Sequence, residues 1–253
     1  GTVPLFLEEV IARDFYRLAV HPDDGRLFIG TYWGGLIETD GENYKVYTEN
    51  NSSLQGAIGD AARERVAGLA FDDENNLWMS NHGASRPISV LKADGEWRNF
   101  NAPVKGLQQM AIDFNGYKWF VAPGEGVLVF DDNGTIDNVN DDRIRLFRAS
   151  NSALRTSIIN CLEIDLDGDV WVGTSEGPVI FECGNSAFDT DLCNGSLRQL
   201  EQDGFGANLL VTENILSIAI DGANRKWIGT NNSLFIQSPD GRKQIAFFNK
   251  SGL

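Results

Sequence analysis

Histidine occurs twice, methionine twice and cysteine three times in this chain of 253 residues, and 21 Lys and Arg stand against 36 Asp and Glu. Each scarcity removes a class of function. His21 and His82 lie far apart in the sequence, with no Cys or second His at ligand spacing, so a zinc site is not expected. No Gly-x-Ser-x-Gly elbow, phosphate-cradling glycine loop or dinucleotide fingerprint occurs, and no catalytic apparatus is recognisable. The many carboxylates leave open a chance acid pair in a cleft. No run approaches the roughly 18 apolar residues of a membrane helix. A formal net charge of −15 repels phosphate backbones and anionic headgroups, so neither nucleic-acid binding nor direct membrane insertion is expected. That charge reads as a solvated surface or as an attraction for cations and basic partners.

What is abundant is glycine, 27 in all, often in Asn-Gly and Asp-Gly pairs that mark tight turns. Gly1 is not an initiator and no signal pattern follows it, so it reads as a residue left by trimming. Compartment is therefore argued through cysteine. Cys183 and Cys193 bracket the insertion Gly184 to Leu192, whereas Cys161 sits within an apolar strand. A bridge between the first two would stabilise the fold by about 2–3 kcal/mol in the chain-entropy model and fits an oxidising compartment. Two unpaired buried thiols are the alternative.

Five segments superimpose: Arg17 to Thr31, Val66 to Ser80, Leu107 to Val121, Ile159 to Thr174 and Ile215 to Thr230. Their anchor aromatics are Phe28, Trp78, Trp119, Trp171 and Trp227, at spacings of 50, 41, 52 and 56 residues. A period of that length built from short strands predicts a β-propeller of four-stranded antiparallel blades. In each copy an alternating strand ends on an Asp turn, and the anchor strand follows. Next come Gly-Thr and a loop, a third strand, then an aromatic-bearing fourth such as Tyr44 to Thr48 or Glu96 to Phe100. Asn-Ser elements follow the fourth strand at Asn51 to Leu54 and Asn151 to Leu154, and similarly at Asn249 to Leu253. The copies divide the chain roughly into 11–54, 55–101, 102–154, 155–210 and 211–253, all within one whole or partial propeller domain. Five blades could close as a small ring. A larger, about seven-bladed ring with blades outside this sequence is expected instead, with Val3 to Val10 as a closing strand or the outer strand of a preceding blade.

The pattern apolar-x-apolar-Asp-x-x-Gly-x-x-Trp-x-Gly-Thr resembles the two-component-regulator propeller repeat. Asp221 to Thr230, Gln237 to Gly241 and the cysteine-bracketed insertion from Phe181 to Arg198 are most similar to the PorZ-type propeller proteins of the Bacteroidetes type IX secretion system. The resemblance spans essentially the whole chain. It implies a non-catalytic, extracytoplasmic propeller, in the periplasm or at the cell surface, that binds a surface glycan, a lipopolysaccharide or proteins of the secretion machinery. The same repeat occurs in sensory ectodomains of hybrid two-component regulators, which is the first alternative. A propeller-type lyase, dependent on His82 as base, is the second.

Strand alternation puts the loop after Gly-Thr and the blade-to-blade junctions on one face, the mouth, and the Asp turns on the other. The mouth loops supply the candidate ligand-binding residues Tyr32, Trp33, His82, Arg86, Glu125, Glu176 and Asn231. Tyr32 and Trp33 would stack on sugar rings while His82, Arg86 and Asn231 supply hydrogen bonds. Arg86 would grip a phosphate or carboxylate. Trp33 packing on the next blade is the competing expectation. Asp165, Asp167 and Asp169 begin like a calcium loop but coincide with the turn found in every copy. They are a weak metal candidate, and no cofactor is expected.

Overall fold

A computed structural model describes residues 13–202 and 205–248. The elements expected at Val3 to Val10 and Asn249 to Leu253 lie outside the described residues. Strands dominate, and the one helical element among the described residues is a single 3-10 turn, Gly184–Ser186. The chain forms two compact units, Gly1–Gln108 and Gln109–Leu253.

The first unit holds two four-stranded antiparallel sheets. One is β1 (Arg13–Val20), β2 (Leu27–Trp33), β3 (Leu36–Thr39) and β4 (Tyr44–Tyr47), hydrogen-bonded in that order. The other is β5 (Val66–Phe71), β6 (Leu77–Asn81), β7 (Ile88–Leu91) and β8 (Trp97–Phe100). The second unit opens with β9 (Met110–Ile112), β10 (Lys118–Ala122), β11 (Gly126–Asp131) and β12 (Arg143–Phe147) as a third such sheet. A three-stranded sheet follows, β13 (Ile159–Ile164), β14 (Val170–Thr174) and β15 (Gly177–Phe181), then a hairpin of β16 (Gln199–Gln202) and β17 (Phe205–Asn208). The last sheet is β18 (Ile215–Ile220), β19 (Lys226–Thr230), β20 (Ser233–Gln237) and β21 (Gln244–Phe248). Four copies thus carry the expected four strands.

The fourth copy corrects that expectation. Its fourth strand is reduced to one bridge, with Ile180 and Ser196 exchanging backbone hydrogen bonds of 3.0 and 2.7 Å. The stretch between β15 and β16 lacks apolar alternation and is a disulfide-closed loop instead. Cys183 and Cys193 are bonded with Cα atoms 5.1 Å apart, while Cys161 is buried outside the bridge. Arg145 of β12 holds the loop, donating to the carbonyls of Ala187 (2.9 Å) and Asp189 (2.8 Å) and to Asn194 Oδ1 (3.0 Å). Tyr117 meets Phe188 edge-on at 5.4 Å. The loop therefore fastens one sheet to its neighbour.

The repeat is explained by one clasp. Asp113 Oδ1 accepts the N–H groups of Asn115 (2.8 Å) and Tyr117 (3.0 Å), while Oδ2 accepts Trp119 Nε1–H at 2.8 Å. Asp72 does the same for Trp78 (2.7 Å), Asp165 for Trp171 (3.0 Å) and Asp221 for Trp227 (2.9 Å). Trp78, Trp119 and Trp171 are fully buried, so their N–H groups need an acceptor. The first sheet differs. Phe28 has no N–H to satisfy, and His21 stands at the start of a turn one residue longer, its Nδ1 accepting Asp23 N–H at 3.3 Å.

Other repeat residues close the strand ends. Thr31 and Thr174 hydroxyls donate to Gly35 and Gly177 carbonyls at 2.9 and 2.7 Å. A Cβ on Gly30 would stand 2.6 Å from the Val66 carbonyl oxygen, so the next sheet approaches only because glycine precedes that threonine. Asn151 spans the end of β12, accepting Arg148 N–H (2.7 Å) and donating to the Leu146 carbonyl (3.0 Å), and Leu154 is buried beyond it. Asn51 and Leu54 repeat the device.

Lys226 is wholly buried with its Nζ 2.8 Å from Asp165 Oδ2, and it also donates to the Pro239 carbonyl at 2.7 Å. Burial works against ionised Asp165, but the Lys226 hydrogen bond and two turn N–H groups prevail and hold its pKa below the ordinary value. Asp169 on the same turn goes the other way, pushed up to about 6 by burial and by the neighbouring Asp165 and Glu182 charges.

Urea unfolding tests these assignments. Asp113→Ala strands a buried indole N–H and is expected to cost about 2–3 kcal/mol. Lys226→Met leaves Asp165 as a buried carboxylate without its cation and is expected to cost about 3–5 kcal/mol. Because the folded pKa of Asp169 exceeds its unfolded value, its contribution to stability is full below about pH 4 and lost as pH rises through about 6. Asp169→Asn is expected to flatten that decline and raise the unfolding midpoint at pH 7.

Candidate functional site

The mouth face of the first unit gathers rings and cations. The end of β2 presents Tyr32 and Trp33, the β4–β5 junction Asp60, Arg63 and Arg65, and the β6–β7 loop His82. Tyr32 lies 5.0 Å from the Tyr16 ring and 5.5 Å from the His82 ring, both tilted. The Arg65 guanidinium stands 5.7 Å from the Tyr32 centroid, and that of Arg63 covers the Trp33 ring at 3.6 Å. Asp60 ties the two arginines together, Oδ2 lying 2.8 Å from Arg65 and 3.2 Å from Arg63. Arg65 Nε is buried with no hydrogen-bond partner among the described residues.

Burial lowers the His82 pKa, with Arg65 adding to the effect against the opposing Leu107 carbonyl, so the ring is neutral at pH 7. Its Nδ1 lies 3.0 Å from that carbonyl oxygen and must be the donor, which leaves Nε2 as an acceptor. Burial also raises the Tyr32 pKa, keeping its hydroxyl protonated. The cluster therefore offers hydroxyl donors, guanidinium donors, one imidazole acceptor and aromatic faces. That combination suits a ring-bearing ligand with an anionic group.

The expected residues are not all brought together. Tyr32, Trp33 and His82 converge, with Trp33 half-buried against Arg63 of the junction leading into the next sheet. Arg86 is exposed and reaches away to β8, where its Nη1 donates to Asn99 Oδ1 at 3.1 Å. The remaining three belong to the second unit, each engaged locally. Glu125 pairs with Arg148 at 3.0 Å, Glu176 with Arg155 at 3.4 Å, and Asn231 accepts from Asn214 at 3.5 Å. Both ion pairs are well exposed, so they hold their partners weakly.

Sequence reading missed Tyr16, Asp60, Arg63 and Arg65. The signal was present: Arg63-Glu64-Arg65 stands in a blade junction, which shares the mouth face with the loops, just before the alternating strand opened by Val66. The stretch containing Asp165, Asp167 and Asp169 is a turn in which Asp165 is committed to Trp171, Lys226 and two backbone N–H groups. Asp167 accepts from Asn224 at 2.8 Å. Among the described residues no group of three or more His, Cys, Asp or Glu is placed to hold a metal ion.

No protein-family model matches the chain, and no curated protein matches it. Solved structures do. PorZ, a bacterial surface component of the type IX secretion system of Porphyromonas gingivalis, is 26% identical with a TM-score of 0.78, over 94% of this chain and 34% of PorZ. The extracellular domain of the hybrid two-component system BT3049 of B. thetaiotaomicron is 18% identical with a TM-score of 0.63, over 90% of this chain and 28% of the other. Virginiamycin B lyase of Staphylococcus aureus is 12% identical with a TM-score of 0.63, over 94% and 71%. The chain thus spans about a third of PorZ, and none of the helices among the described residues is long and apolar enough to cross a membrane. The fold is that of a β-propeller, and its solved neighbours include both groups that the repeat resembles, PorZ and the extracellular domains of two-component regulators.

Proposed function

We propose that this chain is a non-catalytic binding propeller working outside the cytoplasm, which takes an anionic surface glycan or lipopolysaccharide on the mouth face of its first unit. The carrying observation is the cluster itself. In a chain of net charge −15, Arg63 and Arg65 converge with three aromatic rings and a neutral histidine. Sugar rings stack on aromatic faces, and a guanidinium matches the fork of a carboxylate or phosphate. The likeness to PorZ over 94% of this chain supports a part in type IX secretion or cell-surface attachment, with secretion-machinery proteins as further partners. The sensory and lyase readings rest on neighbours at 12–19% identity that share the fold, and nothing in the site favours either.

Calorimetric titration with bacterial surface polysaccharides and lipopolysaccharides tests this reading. Arg65→Ala and Trp33→Ala are each expected to weaken binding about ten-fold or more, with Glu125→Ala as the unchanged control. Because His82 is neutral, binding is expected to hold steady between pH 7 and pH 8. Silence of the wild-type chain across the panel would overturn the glycan reading in favour of a protein partner.

A further inference from the structure

The first sheet departs from the others at four equivalent positions at once. The anchor tryptophan becomes Phe28, and the indole-binding aspartate becomes His21. Cross-strand from the anchor, the other sheets carry Val90, Val129, Ile180 and Ile236, whereas this one carries Glu38. Where the fourth strand of the second and third sheets ends on Phe100 and Phe147, it ends on Tyr47. In those two sheets the phenylalanine stacks on the tryptophan, at 5.5 and 5.7 Å. In the first sheet Phe28 instead meets Phe71 of the neighbouring sheet edge-on at 5.5 Å.

The result is a cleft of about 100 Å³ on the Asp-turn face of the first unit. Phe28, Phe71, Leu77 and Leu91 give it apolar walls, and Glu38 and Tyr47 a polar side. The Glu38 side chain is only 14% exposed. One of its oxygens accepts the Tyr47 hydroxyl at 2.6 Å and the other pairs with Arg26. A carboxylate has about four acceptor directions, so two remain. Elsewhere in the chain this layer holds an indole whose N–H ends on a carboxylate. Here the anchor ring is the smaller phenyl of Phe28, which has no N–H, while a carboxylate remains, moved from the turn to the strand.

We propose that this cleft binds a single planar aromatic ring bearing an N–H or O–H donor, an indole or a phenol, which lies against the Phe28 ring and donates to Glu38. A closed cavity of about 150 Å³ left by truncating a side chain takes up benzene. The present cleft is smaller, but its rim is open and lets part of the ring project. The ring has two possible sources, a free small molecule or a Trp or Tyr side chain on a partner polypeptide.

Saturation-transfer NMR on the full chain, with indole, phenol and toluene as probes, tests the site. Trp97, 5.2 Å from the Tyr47 ring, provides a fluorescence reporter. Indole and phenol are expected to bind. Phe28→Trp, which restores the repeat, is expected to reduce indole binding at least ten-fold while leaving the thermal midpoint equal or higher. Glu38→Gln keeps the shape and is expected to weaken indole about ten-fold relative to toluene, and it decides the matter if Phe28→Trp fails to fold. No transfer to indole in the wild type, undiminished binding in folded Phe28→Trp, or an unchanged indole-to-toluene ratio in Glu38→Gln would overturn the site. With the site in place, displacement of indole by Gly-Trp-Gly assigns the ring to a partner side chain, and failure to displace assigns it to a free molecule.

Discussion

The bond from an indole N–H to a turn carboxylate is the constraint on which four of the five sheets are built. One aspartate ends the first strand, folds the next four residues through two backbone N–H groups, and fixes the ring six residues on. The ring then fills the space between sheets, as Trp119 does against Phe147 and Phe181. Turn geometry and inter-sheet packing are thereby specified by the same side chain. Neither partner of the bond stands alone at low cost, because the ring is dry and its N–H has no water to turn to.

The other repeat residues serve that layer. The glycine before threonine lets the following sheet close on the anchor strand, and the Asn-Ser element turns the chain toward the leucine that plugs the junction. Buried lysines stand beside carboxylates, Lys118 beside Asp132 and Lys226 beside Asp165. Lys226 reaches Asp165 from the neighbouring sheet, joining two clasps through one ion pair. The acidic surplus is otherwise left to the surface, where water screens it.

Much of this was legible because the period of the anchor aromatics carries both strand count and turn position. The cysteine pair was legible too, since it brackets an insertion that breaks the strand pattern. The missing fourth strand of the fourth sheet was not. A repeat read in register supplies a strand by analogy, whereas residues 184–198 offer Asn, Asp and Gly in place of alternation. In the site, Tyr32, Trp33 and His82 were placed on one face by strand direction alone. Arg86 shares their face but turns outward to Asn99, and strand direction says nothing about which way a loop side chain leans. Glu38 was readable in principle, as the one charged residue at a position where the other copies carry Val or Ile.

The replacement of the fourth strand in that sheet has one more effect. β15, Gly-Pro-Val-Ile-Phe, carries no charge and forms the outer margin of a three-stranded sheet, where Pro178 has no N–H to offer another strand. All five of its residues are buried, and beyond β14 its backbone is engaged by the bridge to Ser196 just beyond the cross-linked loop and by Gly177 N–H donating to the Glu213 carbonyl at 2.9 Å. The cross-linked loop thus leads the chain back over an uncharged strand edge and pairs with part of it.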